Sequence, residues 1–168
     1  MRHENAIGGN YPTVLALDLG NPFGWAVNIG RDIHGGVEKF VKAKEESEAQ
    51  RWLNDSIALL RPSCIVFENA PFQQGHAAQT WHSQRGIMAA VCQGYGLLYE
   101  GIAVGTIKKH ITGSGKFSKP KRKSDPEYKM LTGLRERYKI EATDWNEADA
   151  IGVLLTALET GVVEREGE

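Results

Sequence analysis

The chain has 168 residues, 41% of them hydrophobic and 24% charged, with a net charge of −1. This is enough length for one domain with a sizeable core and too little for two, and the composition is that of a folded rather than a disordered chain. No apolar stretch approaches the ~20 residues of a membrane span, and no signal peptide is visible, so a cytoplasmic protein without a membrane partner is expected.

Residues 13 to 19 form a β-branched and aliphatic run that predicts a buried strand. Asn21-Pro22-Phe23-Gly24 is a turn, Trp25 to Ile29 a second strand, and Ile33 to Val41 a third that returns antiparallel. Lys44 to Leu60 is an amphipathic helix, with Ala49, Trp52, Leu53, Ile57 and Leu60 at helical spacing and Pro62 as its stop. Cys64 to Phe67 is the next strand, Ala77 to Gly94 the second helix and Leu97 to Val104 another strand. A short helix over Thr106 to Ile111 leads into Thr112-Gly113-Ser114-Gly115 and a lysine-rich loop. Pro126 to Tyr138 and Glu147 to Leu158 are the last helices, with Gly161 as an end signal. A meander followed by alternating helix and strand predicts an α/β protein with one mixed five-stranded sheet and helices on both faces. The expected division is a flexible segment over 1–12, one domain over 13–161 and an acidic tail over 162–168.

Three carboxylates stand where a core element would ordinarily carry no charge. Asp18 ends the run Val14-Leu15-Ala16-Leu17, Glu68 ends Cys64-Ile65-Val66-Phe67, and Asp149 precedes Ala150-Ile151-Gly152-Val153-Leu154-Leu155. A carboxylate abutting a buried element costs several kcal/mol, on the order of a lost charge-assisted interaction, unless a cation or hydrogen-bond donors compensate. If the first and fourth strands lie side by side and parallel, Asp18 and Glu68 meet at one edge, where sites of open α/β sheets gather. Asn146 lies three residues before Asp149 and therefore on the same helical face. Oxygen donors of this kind favour Mg²⁺ or Mn²⁺ over Zn²⁺. Two such ions ~4 Å apart are a recurrent device for phosphodiester hydrolysis.

Each acid taken singly also has a structural reading, as a strand exit or as a helix residue paired with lysine. Asp144-Trp145-Asn146-Glu147 has the form of a capping box. The five histidines show no ligand spacing, and His82 and His110 suit solvated or hydrogen-bonded roles. Cys64 and Cys92 lack CxxC spacing and read as buried free thiols. The charge distribution is more telling than its total. Gly101 to Ser124 contains no acid but carries Lys108, Lys109, Lys116, Lys119, Lys121, Arg122 and Lys123. Such a stretch is either a solvated loop or a phosphate-contacting one, in which Gly113 and Gly115 admit close backbone approach.

In their order along the chain these segments resemble RuvC, the Holliday junction resolvase family of the RNase H-like superfamily. The first strand with Asp18 is similar to the family's opening strand, and Phe67-Glu68-Asn69 followed by Phe72 to its second acidic region. Gln84-Arg85-Gly86-Ile87 resembles its Arg-Gly helix, and Thr106-Ile107-Lys108 through Gly113-Ser114-Gly115 to Lys119 its Lys…Gly-x-Gly…Lys segment. Asn146-Glu147-Ala148-Asp149-Ala150-Ile151 resembles its closing Asp-x-x-Asp motif. The resemblance implies a homodimeric, Mg²⁺-dependent endonuclease, with Mn²⁺ able to substitute and two ions per site, that nicks four-way junctions or other branched DNA. It implies metal-ligand roles for Asp18, Glu68, Asp149 and Asn146, a catalytic role for Lys119, and DNA contacts for Lys108, Lys109, Lys116, Lys119, Lys121, Arg122, Lys123, Arg85 and Phe72. Two departures stand out. Asn146 occupies a position usually Asp or His, leaving Asp144 as an alternative fourth ligand, and the lysine loop is longer than usual. Both are similar to phage-encoded RuvC-like nucleases, which would act in the host cytoplasm.

Other readings lead elsewhere. An RNase H-like enzyme on RNA–DNA hybrids shares the same metal logic. A non-catalytic junction-binding protein would follow from loss of a ligand at Asn146. An ATPase domain of the actin and sugar-kinase kind would need a second domain and a second Asp-x-Gly loop.

Overall fold

The computed structural model describes residues 1–4, 11–70, 75–114 and 128–163. The elements are β1 (Arg2–His3), β2 (Val14–Asp18), β3 (Phe23–Ile29), β4 (Asp32–Glu38), α1 (Glu45–Leu60), β5 (Cys64–Asn69), α2 (His76–Tyr95), β6 (Leu98–Ala103), α3 (Val104–Thr112), α4 (Lys129–Gly133, prolonged by a π-helical turn over Leu134–Tyr138) and α5 (Trp145–Glu159). They build one mixed sheet in the order β1-β4-β3-β2-β5-β6. β2, β3 and β4 form the antiparallel meander, while β5 and β6 run parallel to β2. The sheet therefore has six strands rather than five. The additional one is β1, whose Arg2 and His3 pair with His34 and Ile33. A two-residue strand has too little periodicity to register in the sequence.

Strand alternation sorts the side chains into two cores. Leu15, Leu17, Ile65 and Phe67 face α1 and α2, joining Leu53, Ile57, Trp81, Met88 and Cys92. Val14, Ala16 and Val66 face the opposite side, joining Ile107 and Ile111 of α3, Met130 and Leu134, and most of α5. Trp81, Met88 and Cys92, apolar residues of α2, are thus core residues. Burial pushes the Cys92 thiol up to about 11 and raises that of Cys64, which is half-buried rather than fully enclosed.

α5 is buried at every position from Asn146 to Leu158. A helix that is apolar all round must be enclosed on all sides. It packs on β2, β3, β4 and β5 and is covered by α3 and α4. Asp144 is its N-cap, with its carboxylate accepting from the Asn146 amide at 2.8 Å. The capping-box expectation holds for Asp144 but is displaced by one residue for Glu147. Its carboxylate accepts from the Thr143 amide at 3.0 Å and the Thr143 hydroxyl at 3.3 Å.

The first turn of α5 seats directly on β3 at Gly24. A Cβ there would lie 2.2 Å from the Asn146 carbonyl oxygen and 3.2 Å from Asp18 Cβ. The obstructing atoms are backbone, so the helix itself would have to move. Gly24→Ala is expected to cost about 2–3 kcal/mol, the range for overpacking a dense core. Gly86→Ala, with open space around its Cβ in mid-α2, should instead stabilise by about 0.5–1 kcal/mol. Urea midpoints of the two variants check both signs.

Candidate active site

Asp18 is the last residue of β2, and Glu68 lies near the end of β5. The parallel register pairs Ala16 with Val66 and Leu17 with Phe67, so Asp18 and Glu68 follow as the next pair of neighbours. Both have the parity of Val14, Ala16 and Val66, the residues whose side chains meet α5. Asp149 sits in the second turn of that helix and is 3% exposed, and Asn146, one turn earlier, is 8% exposed. Two strand ends and one helix thereby bring the acids to the carboxyl edge of the sheet.

Tyr128 is the residue that holds Asp149. It is 1% exposed, its ring stands edge-on to Trp145 with centroids 6.1 Å apart, and its hydroxyl donates to Asp149 Oδ1 at 2.7 Å. Its hydroxyl is held far above the ordinary tyrosine range. The causes, largest first, are burial, the charge of Asp149 and its hydrogen bond, then the charges of Glu68 and Asp18. All three carboxylates thus act electrostatically on one phenol oxygen.

As donors they suit a hard divalent cation. Among the described residues, no three side chains of His, Cys, Asp or Glu stand close enough together to hold one ion. Mg²⁺ in general keeps several waters and is held by one or two carboxylates with the substrate's phosphates rather than by an all-protein cage. Asp144 Oδ1 accepts from both the backbone and the side-chain amide of Asn146, each at 2.8 Å. Asp144 Oδ1 is therefore engaged as cap and tether. With its Nδ2 bound there, Asn146 has its Oδ1 as the remaining side-chain donor to an ion.

The other sequence-selected residues distribute as follows. Lys108 is half-buried and Lys109 exposed on α3, whose Ile107 and Ile111 anchor it to the core. Arg85 is exposed on α2, with its guanidinium 5.7 Å from the Trp81 ring centroid and 6.0 Å from that of Phe67. His110 belongs to a separate cluster, 3.1 Å from Glu159 Oε2 and 3.2 Å from the Tyr138 hydroxyl. His82 is exposed and edge-on to Trp81. Phe72, Gly115, Lys116, Lys119, Lys121, Arg122 and Lys123 lie outside the described residues.

The sequence reading assigns no role to two residues that the structure brings into play. Tyr128 is one; no local pattern separates it from a core aromatic. The other is Gln84, 2% exposed on α2. Its amide brackets Gly20, two residues after Asp18. Oε1 accepts from the Gly20 amide at 2.8 Å, and Nε2 donates to the Gly20 carbonyl at 2.9 Å and to Glu45 at 3.1 Å. The partners are 64 residues apart, beyond the reach of any motif.

A meander continued by parallel strands, with acids at their carboxyl ends and on the covering helix, defines an RNase H-like α/β fold. Within that class the resemblance is to RuvC. The Thermus thermophilus RuvC structure superposes with a TM-score of 0.67 at 19% identity, covering 90% of this chain and 98% of its own. T. thermophilus RuvC in complex with a Holliday junction substrate gives 0.68 at 20%, covering 87% and 92%. The yeast mitochondrial Holliday junction resolvase gives 0.56 at 13%, covering 90% and 79%. At these identities the likeness establishes the fold. No family model and no curated protein matches the sequence.

Gln84→Ala removes both bonds to Gly20 and is expected to destabilise by about 1–3 kcal/mol, the cost of leaving buried polar groups unmet. Gln84→Glu should cost more at neutral pH, because it places a second carboxylate against Glu45 and the Gly20 carbonyl. Urea titration of the two variants checks that order.

Proposed function

We propose that this protein is a divalent-metal-dependent, structure-selective endonuclease that nicks four-way or otherwise branched DNA. The observation that carries the reading is the placement of Asp18 and Glu68 on neighbouring parallel strand ends, on the face that α5 covers, with the buried Asp149 on that helix, at the sheet edge where such a fold places its chemistry. The RuvC-type fold, and a T. thermophilus RuvC holding a Holliday junction, support a branched-DNA substrate over other phosphodiesters.

Asp18, Glu68 and Asp149, with Asn146 Oδ1, would hold the ions. When bound, Mg²⁺ or Mn²⁺ supplies Lewis-acid activation of water and neutralises charge on the phosphoryl group. The chain's own part is preorganisation. β2 and β5 hold two carboxylates side by side, α5 sets the third over them, and Asp144 orients the Asn146 amide. Lys108 and Lys109 lie on α3, which leads directly from the end of β6, and would hold the DNA backbone by charge. Lys116, Lys119, Lys121, Arg122 and Lys123 would extend that basic surface, with Lys119 at the cleaved phosphate and Arg85 and Phe72 at the junction. Nicking two opposed strands calls for two active sites related by a twofold axis, hence a homodimer.

Asp18→Asn is expected to reduce Mg²⁺-dependent nicking of a synthetic four-way junction by about a thousandfold or more, the scale of losing a preorganised electrostatic group. Junction binding, measured by gel shift in Ca²⁺, should persist. Undiminished nicking by this variant would sink the mechanism. Preferential cutting of an RNA–DNA hybrid would redirect the reading to an RNase H activity. Lys109→Ala should lower the slope of log binding constant against log salt by about 0.9, as for one lost phosphate contact, without altering junction preference.

A further inference from the structure

The geometry points to Tyr128 as a positioning residue that sets which carboxylate oxygen Asp149 offers to a divalent cation. This rests on reading the three acids as a cation site, and adds to that site a residue outside its set of ligands. The ring is enclosed, at 1% exposure, and braced against Trp145, so packing determines where the hydroxyl stands. From there it donates to Asp149 Oδ1 at 2.7 Å, a short bond of the charge-assisted kind. A carboxylate otherwise rotates about its terminal torsion among nearly equivalent orientations. A fixed donor on Oδ1 restricts that freedom and so bears on the orientation of the other oxygen before an ion arrives.

Tyr128 suits this task better than it suits ligation. A tyrosine hydroxyl is ordinarily protonated at neutral pH, and a neutral phenol is a poor ligand beside carboxylates and water. A proton kept is a donor kept. Hydrogen-bond partners of metal ligands act in this way, and removing one typically weakens metal binding by about 10–100-fold. The contact also bears on Asn146, which contributes an amide where a charged ligand would bind more strongly. With one neutral donor in the set, the orientation of each remaining carboxylate weighs more in holding the ion.

The test is Tyr128→Phe in the full chain, which keeps the ring and removes only the hydroxyl. Mn²⁺ is titrated into wild type and variant, with binding read by calorimetry and by the paramagnetic resonance of free Mn²⁺. The variant is expected to bind about tenfold more weakly. Its nicking deficit at low Mg²⁺ should close as Mg²⁺ is raised to saturation, a rescue that a purely structural defect would not show. Affinity equal to or tighter than wild type overturns the assignment while leaving the cation site standing. A wild type that binds no Mn²⁺ overturns both. A thermal melt checks that the variant folds. If it does not, the tyrosine ultraviolet difference spectrum of the wild type on adding Mg²⁺ decides: a shift of the buried phenol band is expected, absent in Asp149→Asn, and an unchanged spectrum overturns the assignment.

Discussion

The first turn of α5 rests on the backbone of β3 at Gly24, with no room for a methyl group between them. Everything at the candidate site depends on that approach. It brings the Asn146 carbonyl alongside Asp18 Cβ, and it lets a helix residue, Asp149, share a site with two strand ends. Interiors packed to crystal-like density transmit displacements rather than absorb them, so the position of the helix and the spacing of the acids are one quantity.

Seating a polar first turn in a protein interior requires each of its groups to be met. Asp144 accepts from two Asn146 nitrogens, Glu147 from two Thr143 groups, and Asp149 from the Tyr128 hydroxyl. These contacts explain how so polar a stretch, Asp144 to Asp149, leads into a helix buried along its length. They also show why the acids do not simply destabilise the fold. Donors hold α5's carboxylates, while Asp18 and Glu68 lie half-buried at the sheet edge.

The alternation of β2 and β5 does a second task. One parity of each strand fills the core against α1 and α2, and the other fills the core against α5 and ends in an acid. Reversing that parity by a one-residue slip would send Asp18 and Glu68 into the wrong core. Gln84 adds a tether on the loop beyond Asp18, holding both polar groups of Gly20 from α2. The site is thus supported from both layers of helices.

Much of this was legible in the residues. The apolar run before Asp18, the period of Ala49, Leu53 and Ile57, the stop at Pro62 and the cap at Asp144 are local signals, and each marks an element observed within a few residues of its expected bounds. β1 was not legible, since two residues carry no period. The acids stood out because charge beside an apolar run is costly wherever the chain goes. Tyr128 did not stand out, and Gln84 did so only as part of a motif, because a lone aromatic or amide shows no role until its partner is known.

By itself the sequence determined every element but β1, the two-faced pattern of the strands and the chemical identity of the acids, because helix period, strand alternation and capping act over a few residues. Only the tertiary structure decided that Asp18 and Glu68 end neighbouring strands beneath the helix that carries Asp149, that Asp144 serves Asn146 as a tether, and that Gln84 clasps Gly20. The convergence of the acids and the clasp of Gln84 join residues tens of positions apart, and their distances are set by how the helices close on the sheet. The tether is local in sequence, but its geometry is held by the burial of the turn around it.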